Sequence, residues 1–211
     1  MRSFLLTAAV LFSLGSLATP ANAQQGGKRI VAYYTAWSIY ARNFFVTDIQ
    51  AEKLTHINYA FANISAAGDV VLGDRWADIE KSYPGDSWDD PLRGNFNALL
   101  NLKERHPHVK TLISVGGWTW SGRFSDVALS AESRNRFAAS CVDFMTRYGF
   151  DGIDIDWEYP VSGGLESNRP RQEDRENFPL LLAALRRAHV DVLFALQVVS
   201  LPRPLGDLIG G

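Results

Sequence analysis

The stretch Phe150-Asp151-Gly152-Ile153-Asp154-Ile155-Asp156-Trp157-Glu158-Tyr159-Pro160 carries a row of acids with a regular spacing. Asp154, Asp156 and Glu158 stand two residues apart. On a β-strand that spacing sends all three carboxyls to one face, and Ile153, Ile155 and Trp157 to the other. The apolar face must be covered, so the acidic face lines a site or an interior. Like charges this close resist joint ionisation, and at least one pKa rises. A carboxyl that holds its proton near neutral pH is what general acid catalysis needs. Competing uses of such a row are a solvated acidic strand face, a metal site and an Asp-x-Asp nucleotide-sugar site. An EF-hand loop wants Gly where Tyr159 stands, and no phosphate-cradling Gly-rich loop accompanies the row. The single cysteine, Cys141, excludes an intrachain disulfide framework and a Cys-based zinc site. We expect no metal and no cofactor.

The elements that must position this row follow from periodicity. β-branched and aromatic runs predict strands over Arg29 to Thr35, Leu54 to Asn63, Val109 to Val115 and Phe150 to Glu158, with a further one over Val192 to Val199. Helices are expected over Asn95 to Glu104, capped by Asn95, and over Ser130 to Tyr148, capped by Ser130. Phe137, Cys141, Phe144 and Tyr148 form one apolar face of the second, which makes Cys141 a core thiol. A third helix is expected over Glu176 to His189. Residues 64–92 read as a long surface loop. Strands alternating with helices, without hairpin signals, imply parallel βα units. Either an open doubly wound sheet or a barrel satisfies that order. No Gly-x-Gly-x-x-Gly follows the first strand, which disfavours a dinucleotide fold.

The 211 residues are 46% apolar and 21% charged, with a formal net charge of −2. That composition is globular. It has no basic excess for a phosphate backbone, so nucleic acid is not expected as a partner. Arg2, the apolar run over residues 4–14 and Ala21-Asn22-Ala23 read as a secretory signal peptide over 1–23, cleaved after Ala23. The apolar run is short of the roughly 20 residues that span a bilayer. We expect a secreted chain with no membrane association.

Several motifs recur together. Asp151, Asp154, Asp156 and Glu158 fill Asp-x-x-Asp-x-Asp-x-Glu, and Ser114, Gly116 and Gly117 fill Ser-x-Gly-Gly. Tyr33-Tyr34-Thr35-Ala36-Trp37, Tyr59-Ala60-Phe61-Ala62-Asn63, Gly149-Phe150-Asp151-Gly152 and a Trp-rich loop from Trp76 to Trp88 accompany them. In these residues, across about 29–189, the chain resembles the family 18 glycoside hydrolases, the chitinases, and among them the secreted bacterial type.

The resemblance implies a (β/α)8 TIM barrel, an α/β fold with its site at the C-terminal strand ends. It also implies cleavage of chitin or N-acetylglucosamine oligomers, with Glu158 as proton donor. Asp156 would orient the substrate's acetamido group, whose oxygen attacks the anomeric carbon with net retention. Asp154 would share a proton with Asp156, and Ser114 would hydrogen-bond near Asp154. Tyr159 would bind the acetamido group. Trp118, Phe61 and Trp37 either stack on sugar faces or pack in the core.

Only 188 residues follow Ala23, against about 250 for such a barrel. We therefore read 24–211 as the N-terminal part of the catalytic barrel. It holds the first four to five βα units, and 190–211 form a divergent tail. Alone, such a segment is expected to aggregate and to have little activity. The alternative function is an inactive chitin-binding or non-functional truncated fragment.

Overall fold

The computed structural model describes residues 28–87, 89–188 and the backbone of 192–193. The signal-peptide reading over 1–23, Trp88, and the tail beyond 193 lie outside the described residues.

The elements run β1 (Val31–Thr35), β2 (His56–Ile64), β3 (Val70–Val71), α1 (Gly94–Arg105), β4 (Lys110–Gly116), α2 (Gly117–Trp120), α3 (Phe124–Ala128), α4 (Ala131–Tyr148), β5 (Gly152–Asp156), α5 (Asp174–Arg187) and β6 (Val192–Leu193). The strand order is β1-β2-β4-β5-β6, and every pair along that path is parallel. Each new parallel strand joins on the same side as the one before. A doubly wound sheet reverses direction at a switch point; a barrel does not. The order therefore decides between the two folds that alternating elements leave open.

One layer of helices covers one face of this sheet. Ile57, Tyr59, Ile113, Val115, Ile153 and Ile155 pack with Phe96, Phe137, Cys141, Phe144, Leu181 and Leu185 in one buried cluster. Ala60 and Leu112, one residue out of step, are buried but stand outside that cluster. Burial pushes the Cys141 thiol up, as suits an inert core group. Helix α4 begins with a reciprocal cap: Ser130 Oγ accepts from Ser133 N–H at 3.1 Å, and Ser130 N–H donates to Ser133 Oγ at 3.0 Å.

Two local expectations need correction. Helix α1 starts at Gly94, and Asn95 makes no cap; its side chain is buried between Tyr59 and Tyr83. Nor is 64–92 a plain surface loop. β3 pairs antiparallel with the end of β2, and a helical turn over Trp76–Glu80 buries its own Ala77 and Asp78. The hairpin turns on Ser65, whose Oγ accepts from the N–H groups of Ala67 and Asp69. No helix among the described residues is long and apolar enough to cross a membrane.

Candidate active site

The register of β4 on β5 sets Ser114 beside Asp154 and Gly116 beside Asp156. The acidic row is buried: Asp154 is 0% exposed, Asp156 3% and Glu158 7%. Asp154 and Asp156 sit within β5, whereas Glu158 lies two residues past its end. Ser114 Oγ and Tyr33 Oη each donate to Asp154 Oδ2 at 2.7 Å. Burial, then the charge of Asp154, raises the Tyr33 phenol in turn. Asp156 is pushed up to about 7, first by burial, then by Glu158, then by Asp154. Among the described residues no hydrogen bond reaches its carboxyl. The Tyr159 phenol is raised by partial burial and then by the nearby charge of Glu158.

Backbone close to the row is held by two glycines. Gly116 has φ +106°, and a Cβ there would lie 2.4 Å from Asp156 O. Gly117 has φ +72°, and its Cβ would meet the Phe61 ring at 2.8 Å. No L side chain fits either place without displacing the strand end. Phe61 is the extra residue of a bulge in β2, between Ala60 paired to Ser114 and Ala62 paired to Val115. Its ring lies 6.1 Å from that of Trp37, tilted by 30°. Trp37 is 48% exposed and Trp118 is 50% exposed. The Ala60–Phe61 and Glu158–Tyr159 peptides are cis.

So the fold gathers Asp154, Asp156, Glu158, Tyr159, Ser114, Gly116 and Gly117 at the C-terminal ends of β4 and β5, with Phe61 against Gly117 and Trp37 against Phe61. Trp118 follows directly in α2. Asp151, the fourth acid of the motif, is elsewhere. It precedes β5, accepts from Thr111 N–H at 2.8 Å and pairs with Lys103 Nζ at 2.7 Å. Those partners hold its carboxyl below the usual range against the opposing effect of burial. Its role is to pin the strand's start.

Three residues of the site were not assigned from sequence. Tyr33 could have been found, since alternation along β1 puts it on the face opposite buried Tyr34. Ser121 and Asn168, whose side chains reach the main chain of Glu158, carry no local signal. Among the described residues no group of three or more His, Cys, Asp or Glu side chains could hold a metal ion. A groove of about 760 Å³ between β3 and α4 is lined by residues such as Asp69, Arg136 and Tyr148 and by none of the acidic row.

A parallel sheet in barrel order, with buried carboxyls at the C-terminal ends of its strands, defines a (β/α)-barrel site of the acid type. Residues 29–198 match Glycosyl hydrolases family 18, a match that runs past residue 189 into the segment read as a tail. The chain belongs to that family. It is 47% identical over 198 residues to Chitinase A1 of Niallia circulans, covering 79% of this chain and 28% of that protein. Chitinase ChiA74 of Bacillus thuringiensis superposes with a TM-score of 0.72 at 41% identity, over 77% of this chain and 32% of that one. Catalytic domain 2 of the Group II chitinase of Ostrinia furnacalis, a variant in complex with penta-N-acetylchitooctaose, gives a TM-score of 0.63 at 32% identity, over 76% and 40%. The chain thus spans well under half the length of these relatives.

Proposed function

We propose that the barrel to which this segment contributes hydrolyses β-1,4 bonds between N-acetylglucosamine units of chitin, with Glu158 as proton donor. The observation that carries this reading is the acidic row itself. Asp154 accepts hydrogen bonds from Ser114 and Tyr33. Asp156 has a pKa near 7 and no hydrogen bond to its carboxyl among the described residues. It is therefore available to hydrogen-bond the substrate's acetamido group and orient its oxygen toward the anomeric carbon. Attack by that oxygen forms a cyclic oxazolinium as Glu158 protonates the departing glycosidic oxygen; water then opens the ring with net retention. Exposed Trp37 and Trp118 supply aromatic faces on which sugar rings stack. The names of the relatives support the substrate class. Secretion, with cleavage after Ala23, belongs to the same proposal.

The test grafts residues 29–188 in place of the matching segment of Chitinase A1 of Niallia circulans. The graft should hydrolyse chitin oligomers with retention and should spare fully deacetylated chitosan. Glu158→Gln should lower turnover by about 10²–10⁴ with oligomer binding kept. Near-normal turnover in that variant overturns the assignment of the acid. Cutting chitosan as fast as chitin overturns the acetamido step. Export is checked by the mature N-terminus recovered from culture medium, expected at Gln24.

A further inference from the structure

Glu158 stands beyond the hydrogen-bonded ladder. The last pair between β4 and β5 is Gly116 with Asp156, so the peptide of Glu158 has no strand partner on that side. Buried backbone N–H and C=O groups must nevertheless be paired. Two side chains from different loops do this. Ser121 Oγ accepts from Glu158 N–H at 2.8 Å. The same hydroxyl lies 2.9 Å from Gly117 O and 3.0 Å from Asp156 O, and its one proton is donated there. Asn168 Nδ2 donates to Glu158 O at 3.0 Å.

We propose that Ser121 and Asn168 are positioning residues that clamp the main chain of Glu158 from both sides and so fix where its carboxyl stands relative to Asp156. Ser121 is buried and ties the Ser-x-Gly-Gly turn, the end of β5 and the acid into one unit through a single oxygen. Asn168 reaches in from the loop after β5, and that loop is built around it. A Cβ on Gly164 would fall 2.1 Å from Glu158 O and 2.5 Å from Asn168 Nδ2, so only glycine leaves room for the contact. A Cβ on Gly122 would lie 3.1 Å from Asn168 Oδ1, on the other flank. Both residues act through the backbone of Glu158. With N–H and C=O both held, the acid keeps only its side-chain torsions.

The consequence for catalysis rests on Glu158 being the proton donor; the clamp itself does not, and it is measured without turnover. In the grafted barrel, amide exchange and carboxyl NMR titration are compared for the unaltered chain, Ser121→Ala, Ser121→Thr and Asn168→Ala. The unaltered chain should show a slowly exchanging Glu158 amide. Ser121→Ala should speed that exchange by about tenfold or more, since the N–H loses its acceptor. It should also lower the Asp156 midpoint by about one pH unit, because Glu158 no longer stands fixed beside it. Asn168→Ala should lower the same midpoint. Ser121→Thr, which keeps the hydroxyl, should restore both readouts.

If Ser121→Ala folds and leaves the Asp156 midpoint in place, the proposal fails. It fails equally if Ser121→Thr shifts both readouts as far as Ser121→Ala does. Should Ser121→Ala not fold, a fast-exchanging Glu158 amide in the unaltered chain, or an unmoved midpoint in Asn168→Ala, overturns it. A clamp seen in these readouts, together with full turnover of Glu158→Gln in the graft, would leave the clamp standing and remove only the catalytic assignment.

Discussion

Two buried aspartates of this molecule share a pKa near 7 and differ in the hydrogen bonds around it. Asp156 is raised by burial and then by two neighbouring carboxyls, and no hydrogen bond reaches its carboxyl among the described residues. Asp78 is raised by burial, pulled back by Tyr59 and the Asp74 N–H, and raised again to a smaller extent by the charge of Asp74. Tyr59 Oη donates to one of its oxygens at 2.6 Å and Asp74 N–H to the other at 3.1 Å. Asn95 Nδ2 donates to Tyr59 Oη at 3.0 Å, and Tyr83 Oη donates to Asn95 Oδ1. That network ties the turn over Trp76–Glu80 to β2 and α1. A raised carboxyl pKa is thus no marker of chemistry by itself. The marker is a raised carboxyl with open hydrogen-bonding capacity beside other acids at a strand end. Asp78 has satisfied neighbours and holds a loop in place.

The widest separation between the two regions is in turnover. In the grafted barrel Glu158→Gln should cost about 10²–10⁴, whereas Asp78→Asn should leave turnover within a few-fold. Steady-state kinetics on chitin oligomers checks both, and equal losses would erase the distinction.

Stability should respond in the opposite sense. Asp156→Asn removes a carboxyl that is costly to ionise and should raise the unfolding free energy above pH 7 by on the order of 1–3 kcal/mol. Asp78→Ala, measured at pH 5, should lower it by about 1–3 kcal/mol, because Tyr59 Oη and Asp74 N–H lose their acceptor. Denaturant melts of the two variants decide this; a destabilised Asp156→Asn would show that the site carries no functional strain.

The pH profile follows from the same shifts. Both aspartates hold their proton to about pH 7 when folded, against an ordinary value of 3.8. Their contribution to stability is complete below 3.8 and is lost as pH rises through 7. Urea melts between pH 4 and pH 8 should show this decline, and Asp78→Asn and Asp156→Asn should each flatten part of it. A profile that rises across the window would contradict both shifts.

The smallest effect belongs to the start of β5. Lys103→Ala breaks the half-buried pair with Asp151 and should cost about 1 kcal/mol or less. Asp151 has a lowered pKa, so its contribution is present above 3.8 and fades as pH falls below that value. Comparing melts of Lys103→Ala at pH 7 and pH 3 tests the sign.

The features legible without coordinates are those encoded within a few neighbouring residues. Alternation set Asp154 and Asp156 opposite Ile153 and Ile155. Helical spacing put Phe137, Cys141 and Phe144 on one buried face, and Ser130 announced its own cap. Asn95 misled because its type suits a cap, while its burial beside Tyr59 and Tyr83 depends on where β2 and the 76–80 turn arrive. The β2–β3 hairpin was hidden because two paired residues are too few to show a period.

What the sequence determined by itself is the local chemistry: three carboxyls on one strand face, a Ser-x-Gly-Gly turn, and enough of a pattern to name the family. The tertiary structure decided which neighbours give those carboxyls their properties. Tyr33 meets Asp154 across 121 residues and Ser121 meets Glu158 across 37. Strand order, and with it the choice of a barrel over a doubly wound sheet, is settled by which edges pair. Such partners are brought together by packing of the whole sheet and its helices, and no short-range period in the chain encodes them.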